Sequence, residues 1–311
     1  MENLKVVFMG TPDFAATVLE ELIKKTDVKL VVSQPDRKKT RKGELLSTPV
    51  KELALKNNIN IIQPIKIRED YQEIIDVNPD IIITCAYGQI ISKDILDIPR
   101  LGCINVHASL LPKYRGGAPI HKSIINGDKT TGITIMYMNE GMDEGNIINQ
   151  EEMSILTSDN LETMFNKLSV LGKDLLLKTL PSIINGTNPS IVQNKEKVTY
   201  AYNIKKEEEI IKFNTALEVF NQVRGLYKDP GAYFMLDNKR VKVFDTRINN
   251  DKRFYKPLEI TSIYEDGIGI GCLNGTEIIL TDILIDGKKR MKTKDYLKGI
   301  NKEELLGKKI I

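Results

Sequence analysis

Asn105 and His107 stand two residues apart in Cys103-Ile-Asn-Val-His107, an apolar run that reads as a buried strand. Side chains two apart on a strand share a face, so an amide and an imidazole project to the same side. An amide donor beside an imidazole that can carry a proton is the pair needed to hold the oxyanion formed when a nucleophile adds to a carbonyl. A loop containing Pro112, Gly116 and Gly117 follows at once, and in open α/β sheets ligands sit beyond the carboxyl ends of the strands. A lone histidine in such a run also reads as a hydrogen-bonded core residue; Asn105 on the same face is what favours chemistry. Asp143 lies in Asn139-Glu-Gly-Met-Asp-Glu-Gly-Asn146, a two-glycine connection between two predicted strands. It reads either as a turn aspartate or as a carboxylate that meets His107, orients the ring and favours its charged form. Both readings stand at this level.

Other chemistries lack their parts. The first strand-to-helix turn, Gly10-Thr-Pro-Asp-Phe-Ala15, has only the first glycine of a dinucleotide fingerprint, and neither a P-loop nor a Gly-x-Ser-x-Gly elbow occurs. Cys85, Cys103 and Cys272 are odd in number and form no CxxC pair, which argues against a disulfide framework or a zinc site. The net charge of +3 over 311 residues is too small to argue for nucleic acid by itself. Its distribution says more. Six basic residues (Arg37, Lys38, Lys39, Arg41, Lys42, Lys51) face only Asp36 and Glu44 between 36 and 51. From Gly287 onward nine Lys or Arg residues face Asp295, Glu303 and Glu304. Each run reads as a solvated surface or as a phosphate-contacting segment; a large polyanion would bridge both.

The elements that must position these residues follow from periodicity. Apolar strands are predicted at 4–9, 28–33, 59–62, 80–85, 103–107, 132–138 and 146–152. Helices are predicted at 13–25, 49–56 and 119–126, and a long one, capped by Ser158 or Asp159, runs to Asn185-Gly186. Apolar strands alternating with helices indicate a doubly wound, parallel sheet. A polar stretch to about Asn203 reads as a linker. A helix is predicted over 206–224, then short strands at 232–236, 241–244, 267–272 and 276–280, the pattern of a small barrel. No apolar run approaches the roughly 18 residues of a membrane span, and the N-terminus lacks the features of a secretory signal; a cytoplasmic location is expected.

Several motifs in order along the chain resemble the methionyl-tRNA formyltransferase family. They are Gly10-Thr-Pro-Asp-Phe-Ala, Gln34-Pro-Asp-Arg, Ala86-Tyr-Gly, Asn105-Val-His-Ala-Ser-Leu-Leu-Pro, Tyr114-Arg-Gly-Gly-Ala-Pro-Ile, Gly141-Met-Asp-Glu-Gly and Gly287-Lys-Lys-Arg-Met. The resemblance implies a folate-binding catalytic domain over 1–186 with a Rossmann-like, doubly wound, mostly parallel sheet. A linker would cover 187–203, and an OB-like β-barrel that binds tRNA would cover 204–311. It implies a monomer that passes the formyl group of 10-formyltetrahydrofolate to the α-amino group of initiator methionyl-tRNA for translation initiation, without a metal. Asn105, His107 and Asp143 would be catalytic. Ser109, Leu110, Leu111 and Pro112 would line the folate site, and Arg41, Lys42, Lys288, Lys289 and Arg290 would contact tRNA. The chain departs from the family in two places. Thr40 and Lys42 flank Arg41 where glycine is usual, and Lys228-Asp-Pro-Gly stands where a Trp-Pro pair is frequent, in a chain with no Trp. A formyltransferase for a nucleotide sugar or for glycinamide ribonucleotide would keep the trio but need neither the basic loop nor the barrel. An RNA-binding protein with an α/β scaffold would leave Asn105-x-His107 without a purpose.

Overall fold

The computed structural model describes residues 1–38 and 45–310, which cluster into two compact units. The first unit comprises Met1–Pro119, Thr130–Ser154 and Phe165–Tyr202. Its strands are β1 (Lys5–Gly10), β2 (Asp27–Val32), a short hairpin of β3 (Arg37–Lys38) and β4 (Leu45–Leu46), β5 (Asn60–Ile62), β6 (Ile81–Cys85), β7 (Cys103–His107), β8 (Thr130–Tyr137) and β9 (Ile147–Ser154). Seven of them form one sheet in the order β5-β2-β1-β6-β7-β8-β9. The pairs from β5 to β7 are parallel, whereas β7–β8 and β8–β9 are antiparallel. The sheet is therefore mostly parallel and doubly wound, with an antiparallel edge. Helices α1 (Asp13–Lys25), α2 (Pro49–Lys56), α3 (Gln72–Val77) and α4 (Lys93–Leu96) connect its parallel strands.

The physical causes are local. β1 and β6 are buried nearly end to end, as strands covered on both faces must be. In α1 the residues Phe14, Ala15, Val18, Leu19 and Leu22 form one buried stripe. Asp13 in its first turn and Lys24 and Lys25 in its last turn complement the helix dipole. All three cysteines are buried and free, and burial pushes each thiol upward, Cys272 to about 11, so they act as small apolar residues. The long helix α6 (Leu161–Ile184) begins one residue later than its predicted caps: Asn160 Oδ1 accepts the Thr163 N–H at 3.0 Å.

The second unit comprises Ile120–Lys129, Ile155–Met164 and Asn203–Ile311. It thus takes most of α5 (Pro119–Ile125) and the first turn of α6 from the N-terminal half of the chain. Its strands are β10 (Ala232–Leu236), β11 (Lys239–Ile248), β12 (Ile260–Ile263), β13 (Ile268–Gly271), β14 (Glu277–Ile285) and β15 (Met291–Lys292). They pair in the order β10-β11-β14-β13-β12, with β15 beside β14, all antiparallel. The helix expected over 206–224 is interrupted. A 3₁₀ turn (Lys206–Glu209) stops where Ile210 bridges to Tyr233, and Phe213 takes a left-handed conformation (φ 50°). Thr215 then caps a separate α7 (Ala216–Gly225), accepting the Glu218 N–H at 3.1 Å. The apolar residues of 206–224 were legible; the tertiary pull on Ile210 was not. Helix α7 packs on β11 and β14, and Phe213 meets Phe234 edge to face, with ring centroids 5.4 Å apart. A short α8 (Thr293–Lys298) follows β15.

Candidate active site

Asn105 and His107 project from the same side of β7, whose partners at these positions are Thr84 on β6 and Met136 and Thr134 on β8. The Thr84 hydroxyl lies 3.0 Å from Asn105 Oδ1. With its oxygen occupied, the amide turns its Nδ2 edge toward Asp143 Oδ1, 3.4 Å away. His107 is 6% exposed, and its Nε2 is 3.0 Å from the carbonyl oxygen of Tyr114. Its Nδ1 faces Asp143 Oδ2 at 3.7 Å, beyond a hydrogen bond. That same Oδ2 accepts the Gly116 N–H at 2.8 Å. Asp143 itself adopts φ 50°, a conformation aspartate tolerates better than most residues. Asp143 is a turn residue whose carboxylate approaches His107, at a separation longer than the hydrogen bond that would orient the ring.

A buried clamp that the sequence reading missed fixes this loop. Gln193 Nε2 donates to the carbonyls of Asp143 and Gly145, each at 2.8 Å. Its Oε1 accepts from Arg115 Nε and Nη2 at 3.1 and 2.9 Å. Both residues are buried, Gln193 4% and Arg115 7% exposed. Arg115 Nη1 also lies 3.6 Å from Glu144. The stretch expected to be a linker belongs to the first unit. Thr199 and Ala201 run alongside the loop after β7: Tyr114 N donates to Thr199 Oγ1, Arg115 N to Thr199 O, and Ala201 N to Arg115 O. Gly116 (φ +116°) sits so close to Ala201 that a Cβ would lie 2.9 Å from its carbonyl oxygen. A polar stretch without periodicity carries no signal for such a strap; its partners are up to 85 residues away.

Ser109 and Leu111 are buried, while Leu110 and Pro112 are partly exposed. The polar groups of this segment are already engaged. Ser109 Oγ donates to Lys113 O at 2.6 Å, Thr134 Oγ1 to Ser109 O at 2.6 Å, and Gln150 Nε2 to Leu111 O at 2.8 Å. The segment therefore presents apolar surface. Arg41 and Lys42 lie outside the described residues. Lys51, from the same basic run, is bound to Asp36 at 2.6 Å, and hydrogen bonds from Gln63 and Lys51 hold that carboxyl below the usual range. In the second unit Lys288 and Lys289 are exposed, the former with its ammonium 4.9 Å from the Tyr296 ring centroid. Arg290 is committed elsewhere. It grips Asp282 through Nε and Nη2 at 2.9 and 3.2 Å and stacks 4.2 Å over Phe244. Burial raises the Asp282 carboxyl, but bonds from Arg290 and Lys292 outweigh it and leave it below the usual range.

Known protein families match both halves of the chain. Residues 4–180 match the family model described as formyl transferase, and 203–301 match the formyl transferase C-terminal domain. The chain is 46% identical over 310 residues to a methionyl-tRNA formyltransferase of Staphylococcus aureus (strain JH1), covering 99% of each chain. It is 48% identical over 306 residues to one of Lysinibacillus sphaericus (strain C3-41), covering 97% of this chain and 98% of the relative. Among solved structures, a sugar 3N-formyl transferase crystallised with dTDP and 5-N-formyl-THF aligns with TM-score 0.69 at 22% identity, over 93% of this chain and all of that one. HypX from Aquifex aeolicus in complex with tetrahydrofolic acid aligns with TM-score 0.63 at 14% identity, over 95% of this chain and 47% of that one. At these identities the two structures speak for the fold alone.

Proposed function

The chain belongs to the methionyl-tRNA formyltransferase family, and from that premise we propose that it transfers the formyl group of 10-formyltetrahydrofolate to the α-amino group of initiator methionyl-tRNA. The neutral amine adds to the formyl carbon, and the carbonyl oxygen becomes an oxyanion. The C–N10 bond then breaks, N10 takes up a proton, and the ammonium formed by the attack loses one. Asn105 Nδ2–H and the Nδ1–H of protonated His107 stabilise the oxyanion. Nε2 is anchored on the Tyr114 carbonyl, so the ring offers its Nδ1 edge. The 3.7 Å separation of Nδ1 and Asp143 Oδ2 leaves both groups available to substrate, the first as donor and the second as acceptor of the amine proton. Each oxyanion donor is worth about 3 kcal/mol of transition-state energy.

The observation that carries this reading is the convergence of Asn105, His107 and Asp143 at the end of β7, with the carboxylate fixed by the Gly116 N–H. The partly exposed Leu110 and Pro112, next in the chain, suit an apolar ring system, and on this reading residues 109–112 line the folate site. Arg41, Lys42, Lys288 and Lys289 supply the tRNA contacts. On this reading catalysis belongs to residues 1–186, with the strap up to Tyr202 bonded along the catalytic loop, and tRNA binding to 204–311. The enzyme works as a cytoplasmic monomer without a metal; among the described residues no helix is long and apolar enough to cross a membrane. The test is to incubate the protein with 10-formyltetrahydrofolate and charged initiator tRNA and to hydrolyse the product. Formyl-methionine is expected. Its absence, with formyl transfer to an amino sugar nucleotide instead, would reject the tRNA reading.

A further inference from the structure

Tyr200 and Tyr202 are stacked in parallel on the surface of the first unit, their ring centroids 5.5 Å apart and their planes within 1°. They are 50% and 56% exposed. The stacked pair therefore presents aromatic surface to solvent, a patch open to a partner. Their position is fixed by the backbone. Thr199 and Ala201, on either side of Tyr200, bond to Tyr114 and Arg115, and the Tyr114 carbonyl holds His107 Nε2. The rings therefore stand on the segment directly beside the candidate catalytic loop. Basic residues outnumber the single carboxylate of the turn before them, Glu196. Lys113, in that loop, and Lys195 and Lys197, in the 3₁₀ turn just before the rings, are exposed and have no carboxylate partner among the described residues.

We propose that Tyr200 and Tyr202 form a stacking platform for the unpaired 3′ end of the RNA substrate, with Lys113, Lys195 and Lys197 meeting its phosphates. The inference rests on the proposed function and identifies how that substrate is delivered to the site. Single-stranded nucleic acid is held by aromatic faces flanked by cations, because every base offers a π-face and every linkage a negative charge. A formyl acceptor carried at the end of an RNA must have its last unpaired nucleotides lie along the rim of the catalytic loop. The stacked pair is on that rim and the site's own backbone bonds hold it there. An apolar protein partner would not call for the three unpaired lysines.

The experiment uses the full chain and initiator methionyl-tRNA whose terminal adenosine is replaced by 2-aminopurine riboside. With the wild type, binding should quench the 2-aminopurine fluorescence through stacking. In Tyr200→Leu/Tyr202→Leu the quench should be lost, and KM for the tRNA should rise between about 5- and 150-fold, the range given by one stacked base. KM for 10-formyltetrahydrofolate should stay unchanged, which also certifies the fold. Tyr200→Phe/Tyr202→Phe keeps both ring faces and should behave as wild type. Lys113→Gln/Lys195→Gln/Lys197→Gln should make the dependence of log KM on log salt shallower. An active wild type together with an unaltered quench and tRNA KM in the double Leu variant overturns the platform. A wild type that formylates no tRNA overturns the functional reading beneath it, a different outcome read from a different protein.

Discussion

At the residue scale, one carboxylate does three jobs, and this makes its neighbours experimentally separable. Asp143 accepts the Gly116 N–H, meets Asn105 Nδ2 and faces His107 Nδ1. Asn105→Ala, His107→Ala and Asp143→Ala should each lower kcat about 10²-fold or more while the protein stays folded, measured by single-turnover formyl transfer. Near-wild-type turnover in His107→Ala would reject the mechanism. Gln193 should act through the loop instead. Gln193→Ala removes two donors from the Asp143 and Gly145 carbonyls and strips a buried guanidinium of its acceptor. It should cost about 1–3 kcal/mol of stability and lower kcat roughly 10- to 100-fold with little change in KM for the folate. The basic C-terminal residues divide as well. Lys288→Gln/Lys289→Gln should flatten the salt dependence of tRNA binding. Arg290→Ala should mainly lower the melting temperature, because it leaves the buried Asp282 to Lys292 alone.

At the element scale, the connection between β8 and β9 is the piece on which the geometry depends. Gly145 has no room for a side chain: a Cβ would lie 1.8 Å from the Tyr137 carbonyl oxygen, where β8 ends. Gly145→Ala must therefore displace the turn that carries Asp143. It should cost about 1–3 kcal/mol and slow turnover, and Asp143→Ala/Gly145→Ala should be no slower than Asp143→Ala alone, since both act on one group. Sequence periodicity was enough to find β1, β6, β7 and the amphipathic face of α6, because each buries a continuous or regularly spaced apolar set. Asn105 and His107 were legible because two side chains on one strand face need no long-range information. The Asp143–His107 approach spans 36 residues of sequence, and the Gln193–Arg115 clamp 78. Contacts of that kind are set by which segments pack together. For the same reason the polar stretch reads as a linker in sequence although it is hydrogen-bonded along the catalytic loop. The break between the 3₁₀ turn and α7 has no local sequence signal because the pairing of Ile210 with Tyr233 is likewise tertiary.

At the scale of the whole molecule, the two units are interleaved in sequence, and pH reaches one of them through a residue the chemistry does not use. His121, on α5, has its pKa lowered to about 4, first by burial and then by Lys122. Its unfolded value is near 6.5. Between these values the unfolded chain binds the proton and the folded one does not, so stability should fall as pH drops from about 6.5 toward 4. Melting temperatures of wild type and His121→Gln across that window should differ in slope, the variant being flatter; parallel curves would contradict the assignment. Within the second unit, Lys122 pairs with Glu208, and Ile125 packs so tightly on Gly225 that a Cβ there would lie 2.6 Å from Ile125 Cγ1. Ile125 and Gly225 are 100 residues apart (225 − 125). During synthesis at about 5–20 residues per second, α5 emerges roughly 5–20 s before the helix it will rest on. For that interval Ile125 lacks the helix on which it packs. An enzyme whose product opens new polypeptides thus has a helix of its own that must wait for its partner to be made.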